Sequence, residues 1–207
     1  MIVAVDGPAA SGKGSIARAI AAHYGLPHMD TGLLYRATAL NLLETGADPD
    51  SEFAAARATD ISQIRFDDPE LKSETVGGLA SRISAYPLVR EALLERQKRF
   101  ARQEGGAVLD GRDIGTVIAP EAEVKLFITA SPEIRAERRF AELRRAGLAV
   151  HLPDVLADIR ARDERDSERA AAPLVMAEDA ILLDTSAMNL EQAIAAAIEL
   201  VEVRRAG

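Results

Sequence analysis

The chain has 207 residues, 48% of them hydrophobic and none of them cysteine, so it can bury a core within one domain but cannot build disulfides, thiolate metal sites or a cysteine nucleophile. Its formal net charge of −8 argues against a general nucleic-acid binder, and an aromatic content of 4% without tryptophan argues against base-stacking platforms. No segment approaches the length of a membrane span, and the N-terminus enters a strand without a leader, which predicts a cytoplasmic protein with no membrane partner.

Residues 2–5 read as a buried strand, and Lys13 to Tyr24 as a helix that Gly25 stops. Between them, Gly7 to Ser15 spell GPAASGKGS, a glycine-rich turn that opens the helix. The free amides and dipole of a helix N-terminus attract an anion, and Gly7 and Gly12 allow close backbone approach. The loop, with Ala9, Ala10, Ser11 and Gly14, is therefore predicted to cradle nucleotide phosphates. Lys13 supplies a mobile charge for the outer phosphates, and Ser15 a hydroxyl near a bridging metal ion. The strict pattern places Ser or Thr directly after the lysine, whereas Gly14 stands there. Ser15 is accordingly expected to meet magnesium through water, with phosphates and waters holding most of the ion.

Leu26 to Met29 read as a second short strand, and Asp30, Thr31 and Gly32 as the start of a helix over Leu33 to Leu43. From Thr45 to about Thr75 polar residues accumulate, which predicts an irregular insert. Val76 to Ser84 and Val89 to Arg102 read as helices separated by Pro87. Ala107 to Leu109, Val124 to Thr129 and Ala180 to Asp184 are three further strands, and Leu190 to Val203 a final helix. Strands alternating with helices imply a parallel sheet covered on both faces, with ligands at the carboxyl ends of its strands. The phosphate loop, the DTG after the second strand and the DGRD after the strand at 107–109 all fall there. Arg36, one turn into the helix after DTG, and Arg112, within DGRD, are placed to face the loop across the crevice, where two guanidinium forks suit a second phosphate. Surface pairing with Asp30 and Asp110 is the plainer alternative for both.

Between Ser131 and Arg169 charged residues crowd, and Gly147 and Pro153 divide the run into two helices, as a hinged flap requires. Arg162, Asp166 and Arg169 come at helical steps of four and three, on one face. His23, His28 and His151 lack the spacing of a metal cluster and read as helix or surface residues.

The segments MDTGLLYRA, SRISAYPLVREALLERQ, DGRDIGTV and RDERDSERAAAPLV, with the opening loop, resemble the bacterial cytidylate kinases, in the same order over nearly the whole length. The resemblance implies a P-loop nucleoside monophosphate kinase of the α/β class, with a central five-stranded parallel sheet flanked by helices. It implies one domain over 1–207, with a monophosphate-binding insert at about 45–105 and a helical lid at about 135–168. The implied reaction is transfer of the γ-phosphoryl group of ATP, with Mg2+, to CMP or dCMP. Arg36, Arg112 and Arg169 would bind the acceptor phosphate with Thr31 nearby; Ser81, Arg90 and Asp113 would read the cytosine edge; Arg162 and Asp166 would hold the sugar hydroxyls. Lys13, Arg112, Arg169 and Asp113 would carry catalysis, and Arg138, Arg139 and Arg165 are the expected donors to the ATP phosphates. The family's insert usually carries a small antiparallel sheet, for which the stretch between Ile64 and Lys72 leaves little room. Alternatives are a kinase for UMP, AMP or shikimate, or a nucleotide-dependent switch, which the absence of an NKxD signature disfavours since the only asparagines are Asn41 and Asn189. A monomer is expected, because no coiled-coil stripe is present.

Overall fold

The apolar run that opens the chain is enclosed on both faces, as a central parallel strand demands. In the computed structural model, which describes residues 1–206, β1 (Ile2–Asp6) pairs with β3 (Ala107–Gly111) on one side and β4 (Val124–Thr129) on the other. Strands β2 (His28–Asp30) and β5 (Ile181–Asp184) complete a five-stranded sheet in the order β2-β3-β1-β4-β5, every pair parallel. The chain fills one side of β1 before crossing to the other, so the carboxyl ends of β1 and β3 border a crevice at the switch point.

Alternation along β1 sends its side chains to two cores. Val3 and Val5 pack with Ile16 and Ile20 of α1 (Lys13–Tyr24) and with Ala197 and Val201 of α8 (Leu190–Ala206). Ala4 faces the opposite core with Leu109 and with Ala101 of α5 (Pro87–Ala101). A separate core joins α2 (Thr31–Glu44), α3 (Glu52–Arg57), α4 (Glu74–Ile83) and α5 through Leu42, Ala55, Ile83 and Leu93, with Leu71 packed among them. Among the described residues, the stretch between α2 and β3 holds these helices and one 3-10 turn, Pro69–Lys72, and no strand. The charged run forms α6 (Pro132–Arg145) and α7 (Leu152–Glu168), which pack on each other through Ala136, Leu143, Val155 and Ile159. Gly147, at φ 81°, turns the chain between them.

Local boundaries depart from the sequence reading for identifiable reasons. Strand β2 starts at His28 rather than Leu26, because the Leu26 amide donates back to the Ala21 carbonyl at 2.9 Å and closes the end of α1. Pro87 does not separate two helices but opens α5, where its missing N–H costs nothing. A single π-helical turn, Ile114–Ile118, comes after β3, which runs two residues further than expected, to Gly111. No helix among the described residues is long and apolar enough to cross a membrane.

Gly7 leaves β1 at φ +152°, and a Cβ there would lie 2.0 Å from the carbonyl oxygen of Ile128 in β4. Backbone on both sides leaves no room to yield. Gly7→Ala is therefore expected to lower the unfolding free energy by about 2 kcal/mol or more, seen as a lower urea midpoint at unchanged slope. An unchanged midpoint would mean that the loop can lift off β4.

Candidate active site

The loop between β1 and α1 is held open for an anion. Ala10 and Gly12 adopt φ of 58° and 90°, and the N-terminus of α1 has neither a side-chain cap nor an acidic residue in its first turn. The Lys13 Nζ donates to the Pro8 carbonyl at 3.3 Å. Burial pushes its ammonium down from 10.5 to about 8, Arg112 adds to that push, and Asp110, Asp30 and Asp166 oppose it. Charge is thus concentrated where the amides point.

From this loop a cleft of about 480 Å³ extends between the insert and the α6–α7 pair. Its lining carries eight cationic and eight acidic side chains, so it is neutral within a chain of net charge −8. At the far end Arg112 donates through Nε to Asp166 Oδ2 at 2.7 Å, joining the turn after β3 to α7. Burial works against both charges, yet each holds the other ionised: Arg112 is shifted up and Asp166 down. Asp113 accepts from Arg90 Nη2 and lies 3.7 Å from Arg169 Nη2. Arg162 is pushed down to about 10 by burial first and by Arg112 next, with Arg36 adding to it. Among the described residues, three buried polar groups of the cleft have no hydrogen-bond partner, namely Ser81 Oγ, Arg162 Nε and Arg169 Nη2. Such groups are costly unless a ligand satisfies them.

The residues singled out from the sequence fall into three sets. Ala9, Ala10, Gly12, Lys13, Gly14 and Ser15 of the loop line the cleft, as do Thr31, Arg36, Ser81, Arg90, Arg112, Asp113, Arg162, Asp166 and Arg169. The Thr31 hydroxyl is engaged, donating to the Asp110 carbonyl at 2.8 Å. Arg36 donates to the carbonyls of Leu71 at 2.6 Å and Ser73 at 3.4 Å, and it fits because Gly77 lacks a side chain: a Cβ there would come within 2.8 Å of its Nη2. Arg139 lines the cleft but is paired with Glu74 of α4 and, at 3.1 Å, with Glu142. Gly7 and Ser11 form the back of the loop, Ser11 with a buried, unpartnered hydroxyl.

Two expected ATP-phosphate donors are placed elsewhere. Arg138 does not line the cleft but lies against the loop: it donates to the Thr185 carbonyl at 2.7 Å, the Thr185 hydroxyl at 3.0 Å, and the Ser11 and Met188 carbonyls at 3.3 Å. Arg165 lies on another face of α7 and borders a separate depression with Leu43, Pro49 and Arg82. Arg165 stands one residue before Asp166, about 100° away around the helix axis, so it cannot share the direction in which Asp166 meets the cleft.

The cytidylate kinase family model matches residues 3–203. The chain belongs to the cytidylate kinase family. Cytidylate kinases of Xanthobacter autotrophicus strain Py2, at 60% identity over 100% of both chains, and Rhodopseudomonas palustris strain TIE-1, at 56% over 100% of this chain and 98% of its own, are similar to it throughout. An uncharacterized protein from Eubacterium ventriosum shares the fold with a TM-score of 0.58 and 16% identity over 98% of both chains. TT1252 from Thermus thermophilus does so with a TM-score of 0.50 and 21% identity, over 100% of this chain and 98% of its own.

Two residues that support the site of this cytidylate kinase family member went unnoticed in the sequence. Asp6, the last residue of β1, is 6% exposed and accepts from the amides of Ile114 and Gly115, both at 2.8 Å. Burial pushes its carboxyl up to about 6, the two amide bonds resist, and Asp113 adds to the rise. A charged residue ending a buried apolar strand was the available signal. Arg135 in α6, 3% exposed, donates to the Ala9 carbonyl of the loop at 3.2 Å and grips Asp163 of α7 with both Nη atoms at 2.9 and 2.5 Å. Nothing in the charge run distinguishes it from its exposed neighbours.

Lys13 gives a stability test with a definite sign. Its folded pKa of about 8 lies below the unfolded 10.5, so its ammonium costs about 3 kcal/mol at neutral pH, and the stability gained above pH 10.5 is lost as pH falls through about 8. Lys13→Met is expected to raise the melting temperature of the ligand-free protein at pH 7, to remove the rise in stability from pH 8 to 10.5, and to abolish turnover. Thermal melts across that range check it; a variant less stable than wild type at pH 7 contradicts the burial cost.

Proposed function

We propose that the protein transfers the γ-phosphoryl group of ATP to CMP or dCMP, giving ADP and CDP or dCDP. The observation that carries this reading is the unlike character of the two ends of one cleft. One end is an anion-open helix start with Lys13, and the other is a guanidinium set with unpartnered Ser81, Arg162 and Arg169 atoms. The family's name and the full-length likeness to cytidylate kinases support the same choice of acceptor.

In this reading the loop amides and Lys13 hold the donor phosphates, and Arg36, Arg112 and Arg169 grip the acceptor phosphate. Arg36 holds the Leu71 and Ser73 carbonyls through Nη1, so gripping a phosphate with the rest of its guanidinium couples acceptor binding to the insert. Asp113 accepts from the exocyclic amine of cytosine, while Arg90 and Ser81 donate to the ring. Uracil would turn a carbonyl toward Asp113 and leave two acceptors facing each other. Arg162 and Asp166 hold the sugar. An acceptor phosphate loses its second proton at a pKa of about 6, so near neutral pH the attacking oxygen needs no general base. The side chains align two polyanions in a partly water-excluded cleft and stabilise the charge that spreads over the transferring group. Arg139, released from Glu74 and Glu142, is the remaining lid donor to the ATP phosphates.

Magnesium bound with ATP would neutralise charge on the transferring and leaving oxygens. Among the described residues no three acidic or histidine side chains gather to cage a metal, which suits an ion held by phosphates and waters, with Ser15 meeting it through one water. Membership of the cytidylate kinase family supports a cytoplasmic place, and the self-contained cores support a monomer.

An ADP-release assay over CMP, dCMP, UMP and AMP tests the proposal. Saturable turnover with CMP and dCMP is expected, with UMP poorer in kcat/KM by about tenfold or more. Hydrolysis indifferent to the acceptor would overturn it. Arg112→Ala is expected to lower kcat by about 100-fold, with KM for ATP little changed; near-normal turnover would remove Arg112 from the mechanism.

A further inference from the structure

His28 opens β2, two residues before Asp30 and so on the same face of the strand. Strand register sets His28 opposite Val108 and Asp30 opposite Asp110. From there the His28 Nε2 reaches Oδ1 of Asp110 at 2.7 Å, the two side chains being 16% and 4% exposed. This overturns the reading of His28 as a bystander on the surface. A carboxylate oxygen only accepts, so the proton of this bond sits on Nε2. The second oxygen, Oδ2, is turned to the phosphate loop, where a Cβ on Gly14 would lie 3.5 Å from it. Gly14 occupies the position at which the strict loop pattern carries a hydroxyl.

The neighbours of Asp110 give its orientation consequences. Asp30 stands beside it in register, and burial and the Asp110 charge push the Asp30 carboxyl up, with Lys13 and His28 drawing it down. Lys13 and Arg112 also feel the Asp110 charge. Among the described residues, His28 is the one side chain that hydrogen-bonds the Asp110 carboxylate. Released from it, the carboxylate is free to rotate toward the Lys13 ammonium and compete with phosphate for that charge.

We propose that His28 is a positioning residue: its Nε2–H bond to Oδ1 of Asp110 fixes the carboxylate with Oδ2 facing Gly14. A negative oxygen is thereby held beside the phosphate loop without pairing with Lys13. It serves there as an acceptor for water around the bound nucleotide and its magnesium ion. The proposal rests on the kinase reading of the cleft for its effect on turnover, while the bond itself does not.

The test compares His28→Phe, which fills the volume without a donor, with His28→Gln, whose side-chain amide offers a donor at similar reach. With ATP and CMP, His28→Phe is expected to lower kcat about tenfold and to raise the magnesium concentration for half-maximal turnover several-fold, with KM for CMP within about twofold of wild type. His28→Gln is expected to stay near wild type on all three. Wild-type turnover in His28→Phe would overturn the proposal, as would equal loss in both variants with melting temperatures unchanged. Imidazole 15N spectra read the bond without turnover: the Nε2–H tautomer should dominate in wild type and lose its bias in Asp110→Ala. A wild-type Nδ1–H tautomer overturns the proposal. If wild type itself fails to phosphorylate CMP, the kinase reading falls, and the tautomer alone decides whether His28 holds Asp110.

Discussion

Both oxygens of the Asp6 carboxylate accept backbone amides, those of Ile114 and Gly115, and this pair of hydrogen bonds ties the two walls of the cleft together. Asp6 immediately precedes the phosphate loop, while the amides it holds belong to the turn that carries Arg112 and Asp113. In register Asp6 already lies beside Gly111, so sheet pairing brings the loop and the turn close and the carboxylate sets their angle. An asparagine could satisfy only one of the two amides and would turn its own N–H toward the other. The π-helical turn that results presents Ile114 and Ile118 to the core and leaves Arg112 and Asp113 facing the cleft. Inserted turns of this kind recur at functional sites because they re-aim a short stretch without disturbing the chain downstream.

The electrostatics of the cleft derive from that placement. Lys13, Arg36, Arg112, Arg162 and Arg169 are drawn out of water near one another, and burial disfavours each of them. The fold tolerates this through carboxylates supplied by other parts of the chain: Asp166 of α7 for Arg112, and Asp113 for Arg90 of α5 and Arg169. These pairs cross between the turn after β3, helix α5 and helix α7, so they set the relation of the three. Removing either member of such a pair leaves an uncompensated charge, which is why the cleft is better regarded as one coupled network than as separate subsites.

Support for the loop comes from behind. Arg135 connects the Ala9 carbonyl to Asp163 of α7, and Arg138 connects the Ser11 carbonyl to the Thr185 to Met188 segment. Helix α6 is thus fastened to the phosphate loop along one side, while Arg139 faces the cleft from the other and meets Glu74 of α4. Three arginines within five residues of one helix serve three different neighbours, a division that stems from the 100° step between successive residues.

Local pattern was enough for the glycine-rich loop, the five parallel strands and the two helices on either side of Gly147, because each rests on residue type and short spacing. Glycines beside a lysine, an apolar run before them and arginines at strand ends carry their meaning within a few residues. The destination of individual charges lay beyond its reach. Asp6, Arg135, Arg138, Arg165 and His28 look alike in the sequence as charged or polar residues among others. Their separate fates depend on which strand lies beside which and on which face of a helix is packed. Those are long-range facts: Asp6 meets amides 108 and 109 residues away, and His28 meets a carboxylate 82 residues away. Only when the sheet is assembled do such distances close to a hydrogen bond, and only then does packing separate an arginine spent on backbone carbonyls from one left facing the cleft.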